Sequence, residues 1–267
     1  MNASEYVELH CHSHFSFKEG ASSVDQLIAT AKKLGYKSLA ITDHDNLSGA
    51  MRFAQVSRSL GIHGIIGVEF TLVGGYHLTA LAETFEGYSN LCHLLSFSHV
   101  FADQRDKPVL DPRLLENHYR GIIALSGCRK GEIPLMIEQE EYEKAVAKAK
   151  WYLELFGPEH FYIELQQNLV RGDTLRNKKL VRLARKMNLQ VVGTNNVHYH
   201  NRDYAHLHDC LVAIELNKPL EATHTERRAN SEYFLKSLEE MNVLFKDCPE
   251  AIQNTTRIAQ RCVFDLT

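Results

Sequence analysis

The sequence lacks the signals of several common classes of protein. It has no excess of positive charge, because 30 lysines and arginines stand against 33 aspartates and glutamates, for a net charge of −3. The chain alone is therefore not expected to bind nucleic acid tightly through phosphate neutralisation, which leaves open a nucleic-acid substrate held mainly by other domains. No apolar run approaches membrane-spanning length, so we expect no membrane contact. There is no internal repeat and no low-complexity linker.

Cysteine shows no pattern either. The six cysteines are scattered between Cys11 and Cys262 without a framework spacing, and from residues 1–5 we expect no signal peptide. We therefore expect reduced thiols and a cytoplasmic location. The 267 residues, 44% of them hydrophobic and 24% charged, are ordinary for a soluble globular protein of one large or two small domains.

Histidine, by contrast, is abundant, and two of the 15 histidines lie in the most informative segment of the chain. His10 and His12 follow the apolar stretch at residues 6–9. On an extended backbone, side chains at i and i+2 point to the same face, so both imidazoles can reach one metal ion. Glu19 follows in the loop as a third potential ligand. A single His-x-His pair is more often a pair of partly buried histidines, so the case depends on the later segments.

Short β-type runs alternate with amphipathic helical stretches along most of the chain. We predict strands at residues 6–9, 38–42, 64–68, 78–82, 121–125, 161–165 and 190–194. We predict helices at residues 24–34, 47–60, 87–101, 133–137, 141–156 and 175–187, the first with Ser22 and Asp25 as its capping box. This alternation indicates parallel strands with crossover helices, hence an α/β sheet or barrel.

The pattern changes near residue 222, where a loop is followed by predicted helices at 237–245 and 249–261. We therefore predict a core domain at residues 1–221 and a C-terminal helical extension at residues 222–267.

Polar side chains recur where the predicted strands end. They are His10 and His12, Asp43 and His44, Glu69, Cys128, and Asn196 and His198, whereas His77 opens a strand instead. In parallel α/β folds, residues just past the carboxyl ends of strands converge on one rim, which is where chemistry takes place. A convergent set of His, Glu and Cys suits zinc, manganese or iron. The set exceeds what one ion needs, so we expect two or three divalent ions that activate water and hold a phosphoryl group.

These motifs resemble the PHP (polymerase and histidinol phosphatase) domain, in the form found in bacterial DNA polymerase III alpha subunits. The resemblance rests on residues 9–13, 41–44, 67–69, 77–82, 124–128 and 194–199, and it extends to residues 86–91 and 234–237. Residues 10–13, 15–17 and 67–72 also resemble the error-prone branch of these polymerases.

The resemblance implies a distorted (β/α)7 TIM-like barrel with up to three metal ions at the carboxyl rim of its strands. The implied ligands are His10, His12, Glu19, His44, Glu69, His77, Cys128, residue 196 and His198. Position 196 usually holds an aspartate, and here it is Asn196, a poorer ligand that puts the occupancy of one metal position in question. Asp43 is expected to hold an imidazole or a bound water in place rather than to bind metal.

The resemblance also implies phosphodiester hydrolysis, as a 3′-5′ proofreading exonuclease on a DNA end presented by the parent polymerase with other replication subunits. His10, His12, His44, Glu69 and His198 would carry the reaction, and Arg129 and Arg171 are candidates for holding substrate phosphates. Two alternatives remain. One is a degenerate domain that stabilises the polymerase or docks a separate exonuclease, and the other is a free-standing phosphomonoesterase of the histidinol-phosphatase type.

Overall fold

A computed structural model of the protein describes residues 5–102, 104 and 107–267. The prediction made for residues 1–5, that they form no signal peptide, therefore lies almost entirely outside the described residues. In the described part of the chain, six strands form one sheet in chain order. The strands are β1 (Ser38–Ile41), β2 (His63–Leu72), β3 (Tyr76–Ala82), β4 (Ile122–Leu125), β5 (Phe161–Gln166) and β6 (Gln190–Thr194). The helices are α1 (Val24–Lys33), α2 (Ala50–Ser59), α3 (Phe85–Val100), α4 (Glu132–Glu138), α5 (Tyr142–Phe156), α6 (Asp173–Met187), α7 (Ala205–Leu216), α8 (Leu238–Leu244) and α9 (Pro249–Arg261).

Most of the strand pairs are parallel. β1 pairs with β2, β4 with β5 and β5 with β6 in the parallel sense, while β3 runs antiparallel to both of its neighbours. The antiparallel pair β2–β3 is joined by a tight turn in which Gly74 and Gly75 take φ angles of 93° and 78°, in the left-handed region that favours glycine. The predicted α/β class and the six predicted strands from residue 38 onward are confirmed. Residues 6–9 are not a strand of the sheet, β3 is antiparallel, and β2 extends past Glu69.

The sheet curls because an extended segment, residues 8–12, lies between its two edges. On one side, Ala40 N donates to Glu8 O at 2.9 Å, and on the other Val197 N, just beyond β6, donates to His10 O at 2.9 Å. Backbone hydrogen bonds on both sides connect β1 to the β6 end of the sheet, which gives the distorted TIM-like barrel that the resemblance implied.

The barrel interior is closed at one end by the C-terminal helix. Inward-facing residues of the barrel form one apolar cluster that includes Leu9, Ile65 and Val192, and Ile258 and Ala259 of α9 belong to the same cluster. The helices on the outside bury their apolar faces in a second, larger cluster. Residues after 222 therefore pack directly against the barrel, and the division into 1–221 and 222–267 stays a prediction.

The predicted capping box of α1 is wrong by one residue. Ser23 caps the helix, and it exchanges hydrogen bonds with Gln26. The Ser22 hydroxyl lies instead 2.7 Å from His200 Nδ1 and accepts from His200 N. Two adjacent serines offer the same local signal, and the contact of Ser22 with a distant loop decides between them.

None of the helices in the described part of the chain combines the length and the apolar character that a membrane crossing requires.

Candidate metal centre

The site is built around Glu69, a carboxylate that is 1% exposed and lies inside β2. Its Oε1 atom lies 3.2 Å from His10 Nε2 and 3.1 Å from His77 Nδ1. Its Oε2 atom lies 3.2 Å from His12 Nε2 and 2.8 Å from His44 Nε2. Four imidazole nitrogens thus lie within 3.2 Å of one carboxylate.

The fold explains why these histidines meet. His10 and His12 alternate along the extended segment and so share one face. His44 follows β1 and pairs with Glu69 as an isolated parallel bridge. His77 is the second residue of β3, opposite Thr71 of β2. Because β3 is antiparallel, its beginning lies at the rim where the parallel strands end, so His77 is no exception to the convergence.

The donor atoms fit metal binding better than they fit one another. His10 Nε2, His12 Nε2 and Glu69 Oε1 are buried and make no hydrogen bond, although the ring nitrogens lie close to the carboxylate. A buried polar atom without a partner costs roughly 1–3 kcal/mol. Two groups of residues each have ligand atoms that all lie within 4.8 Å of one another. The groups are His10–His12–Glu69 and His44–Glu69–His77. Imidazole and carboxylate donors suit transition-metal ions, and two donor groups that share Glu69 would fit a pair of them.

Two more of the predicted ligands lie at the edges of this cluster. Cys128 Sγ lies 3.4 Å from His77 Nδ1, and burial together with Glu69 raises the pKa of its thiol well above the usual value. A bound ion would favour the thiolate instead. Glu19 Oε2 lies 2.9 Å from His44 Nε2. Partial burial alone would raise the pKa of Glu19, but the His44 imidazole lowers it below its ordinary value.

A second buried glutamate holds His10 from behind. Glu164 Oε1 lies 2.7 Å from His10 Nδ1 and accepts from Thr194 Oγ1 at 2.5 Å. Burial would lower the pKa of His10, but Glu164 and Glu69 raise it to about 10. An acceptor at Nδ1 fixes the ring orientation, as ligand imidazoles require. Sequence reasoning missed Glu164, whose only signal is a charged residue within the apolar run of β5.

Glu8 is a further buried carboxylate that the sequence analysis missed. It accepts from the backbone N–H groups of His10 and Asn195, each at 2.9 Å, and so ties the extended segment to the end of β6. Burial raises its pKa to about 7. Its contacts show a positioning role for the backbone on which His10 lies.

His12 is held by a serine rather than by a carboxylate. Its Nδ1 atom lies 3.1 Å from Ser16 Oγ, and Ser16 Oγ donates to Asp43 Oδ1 at 2.7 Å. His44 N also donates to Ser16 Oγ, at 3.0 Å. Asp43 therefore acts on His12 and His44 through Ser16, without touching a ring. Burial lowers the pKa of His12 to about 3.

The His198 side of the rim has different neighbours. Asn196 Oδ1 lies 3.0 Å from His198 Nε2, and Arg228 donates to the same nitrogen. His198 Nδ1 donates to Glu19 O at 3.2 Å. Burial and then Arg228 lower the pKa of His198 well below its usual value. Arg228 comes from the loop after residue 222, and the sequence analysis did not select it because nothing near it in the chain marks a site.

A cavity of about 160 Å³ opens onto the cluster. Its lining includes Glu69 and four cationic side chains, Arg129, Lys130, Arg176 and Arg228. Arg129 Nε lies 3.0 Å from Glu138 Oε1. Arg171 is exposed and does not line this cavity.

Of the residues selected from the sequence, most therefore meet at one rim. Asp43 lies behind the rim, Arg129 lies at the mouth of the cavity, and Arg171 lies away from it. The structure brings together His10, His12, Glu19, His44, Glu69, His77, Cys128, Asn196 and His198. Their roles as ligands stay predictions.

Known proteins are similar to this chain in sequence and in fold. Residues 8–168 match the PHP domain family. An error-prone DNA polymerase from Symbiobacterium thermophilum is 40% identical over 278 residues, which cover 98% of this chain and 26% of that protein. A DNA polymerase III subunit alpha from Borreliella burgdorferi is 34% identical, over 97% of this chain and 24% of that protein. The chain thus spans about a quarter of the length of these relatives.

The fold comparison agrees. A candidate metal-dependent phosphoesterase from Bifidobacterium adolescentis superposes with a TM-score of 0.51 at 14% identity, covering 73% of this chain and 88% of that one. The family match spans the segment from the His10–His12 pair through Cys128, which supplies most of the ligand rim. This chain belongs to the PHP domain family.

Proposed function

We propose that this chain is a metal-dependent phosphoesterase domain that hydrolyses phosphodiester bonds at DNA 3′ ends, as the exonuclease module of a bacterial DNA polymerase III alpha subunit of the replicative or the error-prone type. The observation that carries this proposal is Glu69 among four imidazoles, with buried donor atoms that make no hydrogen bond within the protein. A donor set of this kind is costly to bury unless it binds cations.

The proposed residues divide into ligands and supports. Zinc, manganese or iron ions bound at Glu69 would supply Lewis-acid activation of water and stabilise the charge of a phosphoryl group. His10, His12, His44 and Glu69 would hold those ions, with His77, Cys128 and Glu19 completing the set. His198 would face the substrate beside them. Glu164 and Ser16 would keep the His10 and His12 rings in position, so that little reorganisation is needed on binding.

The cavity favours an anionic substrate. Arg129, Lys130 and Arg228 line it beside the ligand cluster and would contact substrate phosphates. The net charge of −3 is too unfavourable for tight DNA binding by this chain alone. The relatives are polymerases several times longer, so the proposed partners are the parent polymerase, which would present a DNA 3′ end, and other replication subunits.

Metal content and hydrolysis, measured on the same samples, test the proposal. The chain would be loaded with manganese, desalted, analysed for bound metal, and assayed on a 5′-labelled single-stranded oligonucleotide. We expect bound ions and stepwise shortening from the 3′ end, and His12→Ala should lower both together. Hydrolysis of small phosphomonoesters alone would instead indicate a histidinol-phosphatase type of enzyme. Intact oligonucleotide with a fully loaded centre would contradict the exonuclease.

A degenerate scaffold is the second candidate, and Asn196 is the observation that favours it. A neutral amide stands there beside His198, where the family usually has a carboxylate. A chain that binds no metal and yet stabilises its polymerase or a separate exonuclease would support this reading.

A further inference from the structure

The His198 side of the rim already contains a cation. An Arg228 amino group donates to His198 Nε2, the nitrogen that would otherwise face an ion. The Arg228 guanidinium also stacks on Tyr233, with its Cζ atom 4.1 Å from the ring centroid. The Tyr233 carbonyl in turn accepts from His198 N at 2.8 Å, which fixes this loop against the rim.

The donors around Arg228 are poor ligands for a further divalent ion. Asn196 contributes an uncharged amide oxygen 3.0 Å from His198 Nε2. The lone pair of His198 Nε2 is used by the guanidinium, and Arg228 Nε is buried there without a hydrogen-bond partner. A divalent ion entering this space would meet the fixed positive charge of Arg228, which already acts on the nearby Glu19 carboxylate. Like charges at such a short separation repel strongly where water is excluded.

The Glu69 side has the opposite character. It has two donor groups, His10–His12–Glu69 and His44–Glu69–His77, which share the anionic Glu69. Within each group the ligand atoms lie within 4.8 Å of one another. No arginine or lysine makes an ion pair with Glu69 among the described residues.

We propose that the Arg228 guanidinium takes the place of a third metal ion, so that the centre holds two ions, both at Glu69. The inference rests on the proposed function only in taking the rim to be a metal centre. It assigns Arg228 a positioning role toward His198 and explains why the neutral Asn196 is tolerated beside it, because a carboxylate there is not needed to balance an ion.

The test is a count of ions per chain in four matched proteins, loaded with excess manganese, desalted and subjected to elemental analysis. The unaltered chain should hold two. Asn196→Asp should still hold two, because the new carboxylate would pair with Arg228. Asn196→Asp with Arg228→Gln should hold three, because the cation is gone and a carboxylate faces His198. Asn196→Asp with Arg227→Gln is the control and should hold two, since Arg227 pairs with Asp209 at 3.0 Å instead.

Each other outcome decides against the inference. Three ions in the unaltered chain, or in Asn196→Asp with Arg228 present, would show that the guanidinium does not displace an ion. Two ions in the correctly folded double variant, checked by circular dichroism, would show the same. If that variant does not fold, the first two counts still decide. Two ions without any hydrolysis would overturn the proposed function and leave this inference standing, whereas none or one would overturn both.

Discussion

The two sides of the rim contain the same residue type with opposite surroundings. His12 stacks on His44 at a ring-centroid distance of 4.7 Å and on His198 at 4.6 Å, so the three rings are neighbours. His12 and His44 face the Glu69 carboxylate, whereas His198 faces an amide and a guanidinium. Histidines packed side by side thus differ in what they can bind.

If the proposed two-ion centre is right, the neighbours of a histidine, rather than its presence, decide whether it can hold an ion. An imidazole is a neutral donor, so the charge that balances a divalent cation must come from carboxylates or thiolates. The Glu69 side has that charge, and among the described residues no lysine or arginine pairs with Glu69, whereas on the His198 side Arg228 donates to the imidazole itself.

Glu69→Gln makes the Glu69 side resemble the Asn196 side, and we expect it to have the largest effect. The amide keeps the shape of the side chain but removes the only charge that both donor groups share. Bound manganese should fall from two ions to fewer than one per chain, and hydrolysis should fall by about 100-fold or more, beyond the usual cost of losing a supporting residue.

Glu83→Gln is the matched control for this loss of charge. Glu83 lies just past the other end of β3 and pairs with Arg261 at 2.8 Å. Its neutralisation should leave the ion count unchanged. If Glu69→Gln still held two ions, the charge of Glu69 would not be what distinguishes the Glu69 side of the rim from the His198 side.

A smaller effect is expected from Glu164→Gln, which leaves every proposed ligand in place. Glu164 fixes His10 through Nδ1 at 2.7 Å, and such supports contribute about 10–100-fold in metal affinity. The ion count at saturation should stay the same while the dissociation constant for manganese, measured by calorimetric titration, rises by that factor. Glu159→Gln, near the start of the same strand, should change nothing. An unaltered affinity in Glu164→Gln would show that His10 needs no support.

Much of this site could be predicted because its residues lie beside strands with a clear apolar pattern. His44 follows β1, and Glu69 and His77 lie on β2 and β3, so once the strands are found the rim positions follow from topology. The exact strand direction was not needed. An antiparallel β3 presents its beginning where a parallel strand would present its end.

The parts that could not be predicted depend on contacts between distant segments. Glu164 meets His10 across 154 positions of sequence, and in the chain it looks like any charged residue of a strand. Arg228 reaches His198 from a loop with no regular pattern. Helix α7 was not predicted because the apolar residues of 205–216 are spread around the helix and form no single stripe, and within this helix the structure buries only His208 and Ala213.

The smallest expected effect distinguishes two arginines that the sequence treats alike. Arg129 lines the cavity beside the Glu69 cluster, and Arg171 is exposed and does not line it. Solvent-exposed charge pairs contribute about 0.2–1 kcal/mol, so Arg129→Gln should raise KM for a single-stranded oligonucleotide by at most about fivefold. Arg171→Gln should leave KM unchanged. The Arg129 effect should also shrink at high salt, because screening weakens exposed charges. Equal effects of the two variants would mean that general charge, and not the cavity beside the Glu69 cluster, guides the substrate.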